Sequence, residues 1–134
     1  MQITNDLMGF FKEQGIEYNF VEEAEYKLLS FNSFDEGTNN IFNIVIIIAN
    51  DEETAEIYIK LENEMAEGIE LYRLLNEYNI AYTGLQFLYI DNSITIKSGC
   101  VIDNTYTNIV TQMIENLNIA IEEFAVFADG EEDI

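Results

Sequence analysis

The hydrophobic positions change their spacing several times along the chain, and each change marks a predicted element. Ile3, Leu7, Met8, Phe10 and Phe11 recur at the three- and four-residue steps of a helix face, so the chain opens with an amphipathic helix capped by Thr4 or Asn5. Gly15 ends it by taking the left-handed conformation, with Ile16 placed to pack back on the last turn. Tyr18-Asn19-Phe20-Val21 then runs extended, and Glu22-Glu23-Ala24-Glu25 turns the chain into a strand over Tyr26 to Phe34.

Asp35-Glu36-Gly37-Thr38-Asn39-Asn40 is a turn cluster between two β-rich runs, so Tyr26 to Phe34 and Ile41 to Ala49 form an antiparallel hairpin. After a second turn at Asn50-Asp51-Glu52-Glu53, Ala55, Ile57, Ile59 and Leu61 alternate with Glu56, Tyr58 and Lys60, the period of a strand with one core side and one wetter side. These three strands make a meander. The middle one breaks the alternation: Phe42, Ile44, Ile46 and Ile48 are apolar on one side, Ile41, Val45, Ile47 and Ala49 on the other. Such a strand is central and covered on both faces, either by helices on each or by a second subunit or ligand over part of one.

Ala66 to Tyr78 returns to helical spacing, with Ile69, Tyr72, Leu74 and Leu75 on the apolar stripe and Arg73 within reach of Glu70 or Glu77. A second hairpin follows, Leu85 to Ile90 and Ile94 to Ile102, turning at Asp91-Asn92-Ser93. Asp103-Asn104-Thr105 caps a long third helix whose Val110, Ile114, Leu117, Ile121 and Phe124 step by four and three, widened by Ile109, Met113 and Ala120. A face that wide packs on a sheet rather than forming a coiled coil. The order helix, three strands, helix, two strands, helix is an α+β layer arrangement in one domain over residues 1–128, and residues 129–134 read as an acidic mobile tail.

Composition sharpens this picture in one respect. The 134 residues include 26 acids against five bases, for a net charge of −21, yet 49% are hydrophobic, too many for a disordered acidic chain. The charge excludes direct binding to nucleic acid or anionic lipid, which needs a basic surface. One cysteine, no cationic-then-apolar leader, and no apolar run near the ~20 residues of a membrane-spanning helix point to the reducing cytoplasm. Twenty isoleucines, 15 asparagines and no proline read as the coding bias of an AT-rich bacterial or phage genome.

Histidine is absent, which removes the commonest general base and transition-metal ligand. The glycines are isolated, with neither a GxGxxG nor a GxxxxGK phosphate loop. Carboxylate pairs abound but none stands out among 26 acids, and no EF-hand spacing is present, so Asp51-Glu52-Glu53 reads as a solvated turn. Lys27, Lys60 and Lys97 sit in predicted strands, where cross-strand pairing with carboxylates is their expected role, with convergence on an anionic ligand the other. Cys100 lacks any nearby cation to stabilise a thiolate and reads as a small buried side chain. No catalytic residue, cofactor or metal site is assigned.

Phe10-Phe11-Lys12-Glu13-Gln14-Gly15-Ile16 at the first helix end, Leu74-Leu75-Asn76-Glu77-Tyr78-Asn79, and the hairpin Phe87 to Ile96 before a closing amphipathic helix together resemble the YbjN-like family of small bacterial proteins. That family's fold is related to type III secretion chaperones, and its members are described as sensory-transduction regulators and chaperone-like adaptors. The resemblance covers most of the chain and implies protein binding, as a homodimer, with no catalytic residue to carry over; the acidity departs from the family.

Two functions of different kinds follow. One is a non-enzymatic cytoplasmic adaptor or chaperone-like regulator that holds another protein on an exposed sheet face or helix groove. Phe42, Ile44, Ile46, Tyr58, Phe87 and Tyr89 are its candidate anchors. The other is an acidic mimic of nucleic acid that inhibits a basic DNA- or RNA-binding protein. Its candidate carboxylates cluster at Glu22, Glu23 and Glu25, at Asp51, Glu52 and Glu53, and at Glu62, Glu64 and Glu67.

Overall fold

The computed structural model describes residues 2–63, 66–103 and 105–132, with side chains as far as Ala125. Helix α1 spans Gln2–Glu13 and buries Ile3, Leu7 and Phe11, one residue per turn on a single stripe. It starts before the expected caps. Thr4, already inside the helix, turns its hydroxyl to Glu52 at 2.6 Å. The helix end follows the expectation: Gly15 has φ 71°, its N–H donates to the Lys12 carbonyl at 3.1 Å, and the Ile16 N–H donates to Phe11 at 2.9 Å.

Six strands form one antiparallel sheet: β1 (Asn19–Glu22), β2 (Tyr26–Asp35), β3 (Asn40–Ala49), β4 (Thr54–Leu61), β5 (Gln86–Ile90) and β6 (Ser93–Val101). Their spatial order is β1-β2-β3-β4-β6-β5. The meander is β2-β3-β4, as the spacing predicts, but the extended segment before it is a strand in its own right, with Asn19 opposite Ser30 and Phe20 opposite Leu29. Short pairing of this kind is set by what lies alongside, so four residues without a clear alternation carry no signal of it. The second hairpin joins the meander through β4 and β6, where Ile59 faces Ile96 and Ile57 faces Ser98. Its turn residues Asp91 and Asn92 have φ 51° and 64°, the two positive values that a tight two-residue hairpin needs.

Helix α2 spans Ile69–Ala81, and α3 spans Thr107–Glu132. Both pack on the same side of the sheet as α1. Phe11 meets Phe31 of β2 at 5.1 Å between ring centres, Tyr78 meets Phe87 of β5 at 5.1 Å, and Phe124 stacks on Phe42 of β3 at 6.5 Å. The inward half of every long strand completes this core: Leu29 and Phe31, Phe42 to Ile48, Ala55 to Leu61, Ile94 and Ile96.

The helical stripes differ in phase from the periodicity. In α2 the buried residues are Leu71, Leu75 and Tyr78, while Ile69 is 76% exposed and Tyr72 points outward. In α3 the fully inward line is Ile109, Met113, Asn116, Ala120 and Phe124, with Val110, Leu117 and Ile121 half-buried beside it and Ile114 exposed. An apolar stripe wider than the contact leaves its phase undetermined, and the polar Asn116 marks the line only because its amide donates to Ser98 Oγ at 2.6 Å. The backbone of α3 reaches Glu132, and the expected tail, by its side chains and by residues 133 and 134, lies outside the described residues.

One expectation fails for a clear reason. β3 is central, but no helix covers its second side: Ile41, Val45, Ile47 and Ala49 face away from the three helices, and among the described residues no element lies over them. All three helices are needed to cover one face of six strands, which leaves none for the other.

Candidate protein-interaction surfaces

Of the expected anchors, Phe42, Ile44 and Ile46 are fully buried and Phe87 is 2% exposed, all beneath the helices. They build the core and are not available to a partner in this fold, because they occupy the inward half of the strand alternation. Tyr89 also lies on the helix side, edge-on to Tyr72 at 6.0 Å. Tyr58 alone projects from the open face, with the Lys97 ammonium 5.6 Å from its ring centre. The sequence therefore groups six residues that the sheet divides between opposite sides.

The direction of the backbone groups at the sheet's two edges is fixed by the pairs that flank them. In β2 the Tyr26 carbonyl accepts the Glu23 N–H at 2.9 Å on the β1 side, and the Glu25 carbonyl accepts the Asn50 N–H at 3.3 Å on the β3 side. Even-numbered residues of β2 thus turn their N–H and C=O groups toward β1. β1 reaches only as far as Ser30. Beyond it, the backbone N–H and C=O groups of Asn32 and Phe34 have no partner among the described residues. An open hollow of ≈ 920 Å³ runs alongside, walled by Lys12, the Gly15–Tyr18 turn and Phe31 to Ser33.

The opposite edge is treated differently. The Glu53–Ile102 hydrogen bond of 2.8 Å sets the parity of β6, and through Ile96 opposite Phe87 it turns the Phe87 backbone outward. Both of these groups are taken by one side chain: Asn79 Oδ1 accepts the Phe87 N–H at 2.7 Å and Asn79 Nδ2 donates to the Phe87 carbonyl at 3.0 Å. Nearby, Asn108 Nδ2 donates to the Val101 carbonyl past the end of β5. Asn79 stands in for a neighbouring strand and blunts that edge. Its presence in the last turn of α2 is visible in the sequence, but its partner eight residues on is not.

The face away from the helices carries Val21, Leu28 and Ile47 in one row across three strands, then Ser30, Val45 and Tyr58 in the next. More than half of the exposed large hydrophobic residues belong to it, including Phe34 at 56% and Val101 at 72% exposed. Its strand residues include one acid, Glu56, and two bases, Lys60 and Lys97. Lys97 pairs with Glu56 at 3.2 Å, the cross-strand pairing expected of it, while Lys60 has no partner among the described residues. Lys27 is on the helix side, buried, and donates to Asn50 Oδ1 at 2.8 Å, so the three lysines do not converge.

Two further clusters are structural in geometry. Glu52, at φ 56° in the β3–β4 turn, accepts the N–H groups of Ile3 and Thr4 at 3.1 and 3.0 Å and the Thr4 hydroxyl, capping α1 from a distant loop. Partial burial works to raise its pKa, but the Thr4 hydroxyl and these backbone donors outweigh it and hold the carboxyl down at about 2. Between α2 and α3, the Tyr82 hydroxyl donates to Glu123 Oε1 at 2.6 Å and the Tyr78 hydroxyl to the Glu123 carbonyl at 3.2 Å. The Glu123 hydrogen bond on Tyr82, and burial on Tyr78, push both phenols up to about 12. Cys100 is half-buried, and burial raises its pKa. Among the described residues no three acidic or cysteine side chains are grouped to hold a metal, and no helix is long and apolar enough to cross a membrane. Compared with protein-family models, curated proteins and solved structures, the chain matches none.

Proposed function

We propose that the protein is a non-enzymatic adaptor that captures an extended segment of another protein by strand addition along β2, beyond the end of β1. The observation that carries this reading is the backbone of Asn32 and Phe34, unpaired among the described residues and beside an open hollow, on a molecule that caps Phe87 at its other edge with Asn79. A guest strand running antiparallel to β2 pairs with those two residues. Its intervening side chains fall against Phe31, Ile16 and Tyr18, and flanking cations suit a chain of net charge −21. Three helices on a six-strand antiparallel sheet make an α+β fold, and a chaperone-like, homodimeric adaptor belongs to the same proposal.

The test uses the blocked peptide Lys-Thr-Val-Thr-Val-Lys and the Asn32→Pro variant. Proline there removes one edge-facing N–H and the exposed Asn43–Asn32 side-chain hydrogen bond but no backbone ladder bond with β3, so the fold is kept. Peptide addition is expected to slow amide exchange at Asn32 and Phe34 in the wild type, and Asn32→Pro to lose binding. Binding that Asn32→Pro leaves unchanged, or no protection of either amide, defeats the reading.

The nucleic-acid mimic remains a second reading because, among the described residues, the strand acids other than Glu56 lie off the open face, where a basic protein can meet them; Glu64 of the third cluster lies outside the described residues. Asp51 and Glu52 are partly engaged within the molecule, Asp51 accepting the Glu53 N–H at 3.0 Å, which weakens that cluster as a phosphate-like row. Capture of a basic partner that collapses with added salt favours this reading over strand addition.

A further inference from the structure

Resting on the homodimeric part of the adaptor proposal, we infer that the open face of the sheet is the contact surface of a face-to-face homodimer, with the backbone edge of β2 at its rim left to the guest strand. The argument is how charge is divided. The strand residues of this face hold Glu56, Lys60 and Lys97, a net charge of +1, so with −21 on the whole chain everything else carries −22. A patch of about 700 Å² placed at random on so acidic a molecule carries about two negative charges.

This division selects the occupant. A cationic partner is drawn to the −22 elsewhere and finds nothing on this face; a polyanion finds one net positive charge inside an acidic surround. A second copy is the partner for which neutrality here is required, because any net charge on a self-associating face is met by the same charge across a two-fold axis. Packed sheets lie ~10 Å apart, so the acids behind each sheet are separated from the opposing copy by more than the ~8 Å screening length at physiological salt.

Area and composition agree. Six strands at ~4.8 Å spacing, several of them eight to ten residues long, give a face of about 700 Å², beside the ~800 Å² per partner of a standard interface. Its middle is formed by Leu28, Ile47, Val45 and Tyr58 in adjacent rows, half-buried in the single chain. Among the described residues Lys60 is the one cation of the face without a partner.

Sedimentation equilibrium of the full chain between ~0.01 M and ~0.15 M salt tests the inference, because the screening length falls from ~30 Å to ~8 Å over that range. The expected result is a dimer that strengthens as salt is added, the opposite of what a basic partner shows. Val45→Glu and Ser30→Glu, which point away from the core, are expected to leave the melting behaviour of a folded chain and shift the mass to monomer at both salts. A chain monomeric at every salt concentration, association that weakens with salt, or a dimer unmoved by both substitutions overturns the inference. Val45→Glu, on β3 and away from the β2 edge, is expected to lose the dimer while peptide still protects the Asn32 and Phe34 amides, so loss of strand capture and loss of the dimer are read separately.

Discussion

At the scale of single residues, Asn79 performs a task usually given to a whole strand. Its amide offers one donor and one acceptor with the spacing of a peptide group, and it meets the outward backbone of Phe87 with both. Asn79→Ala leaves these groups half-buried and unpaired, which costs about 1–3 kcal/mol. The urea midpoint is expected to fall accordingly, with Asn79→Asp intermediate because it keeps the acceptor and loses the donor. The same scale shows why single residues mislead. Phe42, Ile44, Ile46 and Phe87 have the chemistry of interface anchors, yet burial decides their role, and burial depends on which face the helices choose. Tyr58 is the one expected anchor that reaches the open face.

At the scale of elements, α1 is held at both ends by different means. Its C-terminus is closed locally by Gly15 and Ile16, a signal plain in the sequence, whereas its N-terminus is closed by Glu52 from a turn nearly fifty residues away, which no local pattern shows. The Glu52 pKa, lowered from 4.5 to about 2 on folding, means that its contribution is complete above pH 4.5 and is lost as pH falls through 2. Glu52→Gln is expected to be less stable than the wild type by about 1 kcal/mol at neutral pH, a typical capping value, and the gap is expected to close toward pH 2. Paired urea titrations across that range check both the size and the sign. The strands of the meander and the second hairpin were legible because alternation and turn residues are local. β1 has no alternation to mark it as a strand, and the stripes of α2 and α3 are too broad to fix their phase: the periodicity includes Leu75, Ile109, Met113, Ala120 and Phe124, which the sheet buries, beside Ile69, Tyr72 and Ile114, which it leaves exposed.

At the scale of the whole molecule, a large negative charge surrounds a nearly neutral sheet face. Mutual repulsion of the acids opposes the compact state, so the melting temperature is expected to rise with sodium chloride in the ~0.01–0.15 M range, where screening changes most. A calorimetric scan of Val45→Glu separates this from dimer formation: the monomeric variant keeps the salt dependence that comes from self-repulsion and loses its dependence on protein concentration.

What the sequence determined by itself is what depends on near neighbours: the α+β class, the meander, the tight turn at Asp91 and Asn92, the glycine end of α1, and the absence of histidine and phosphate-loop chemistry. The tertiary structure decided what depends on distant pairings. It joined β4 to β6, placed three helices on one side and none on the other, and thereby made core of Ile44 and surface of Val45, residues whose side chains differ by a single methylene. Alternation assigns neighbouring residues to opposite faces but cannot say which face the helices will cover. That choice is made by the collective burial of Leu7, Phe11, Tyr78 and Phe124 against one side of the completed sheet.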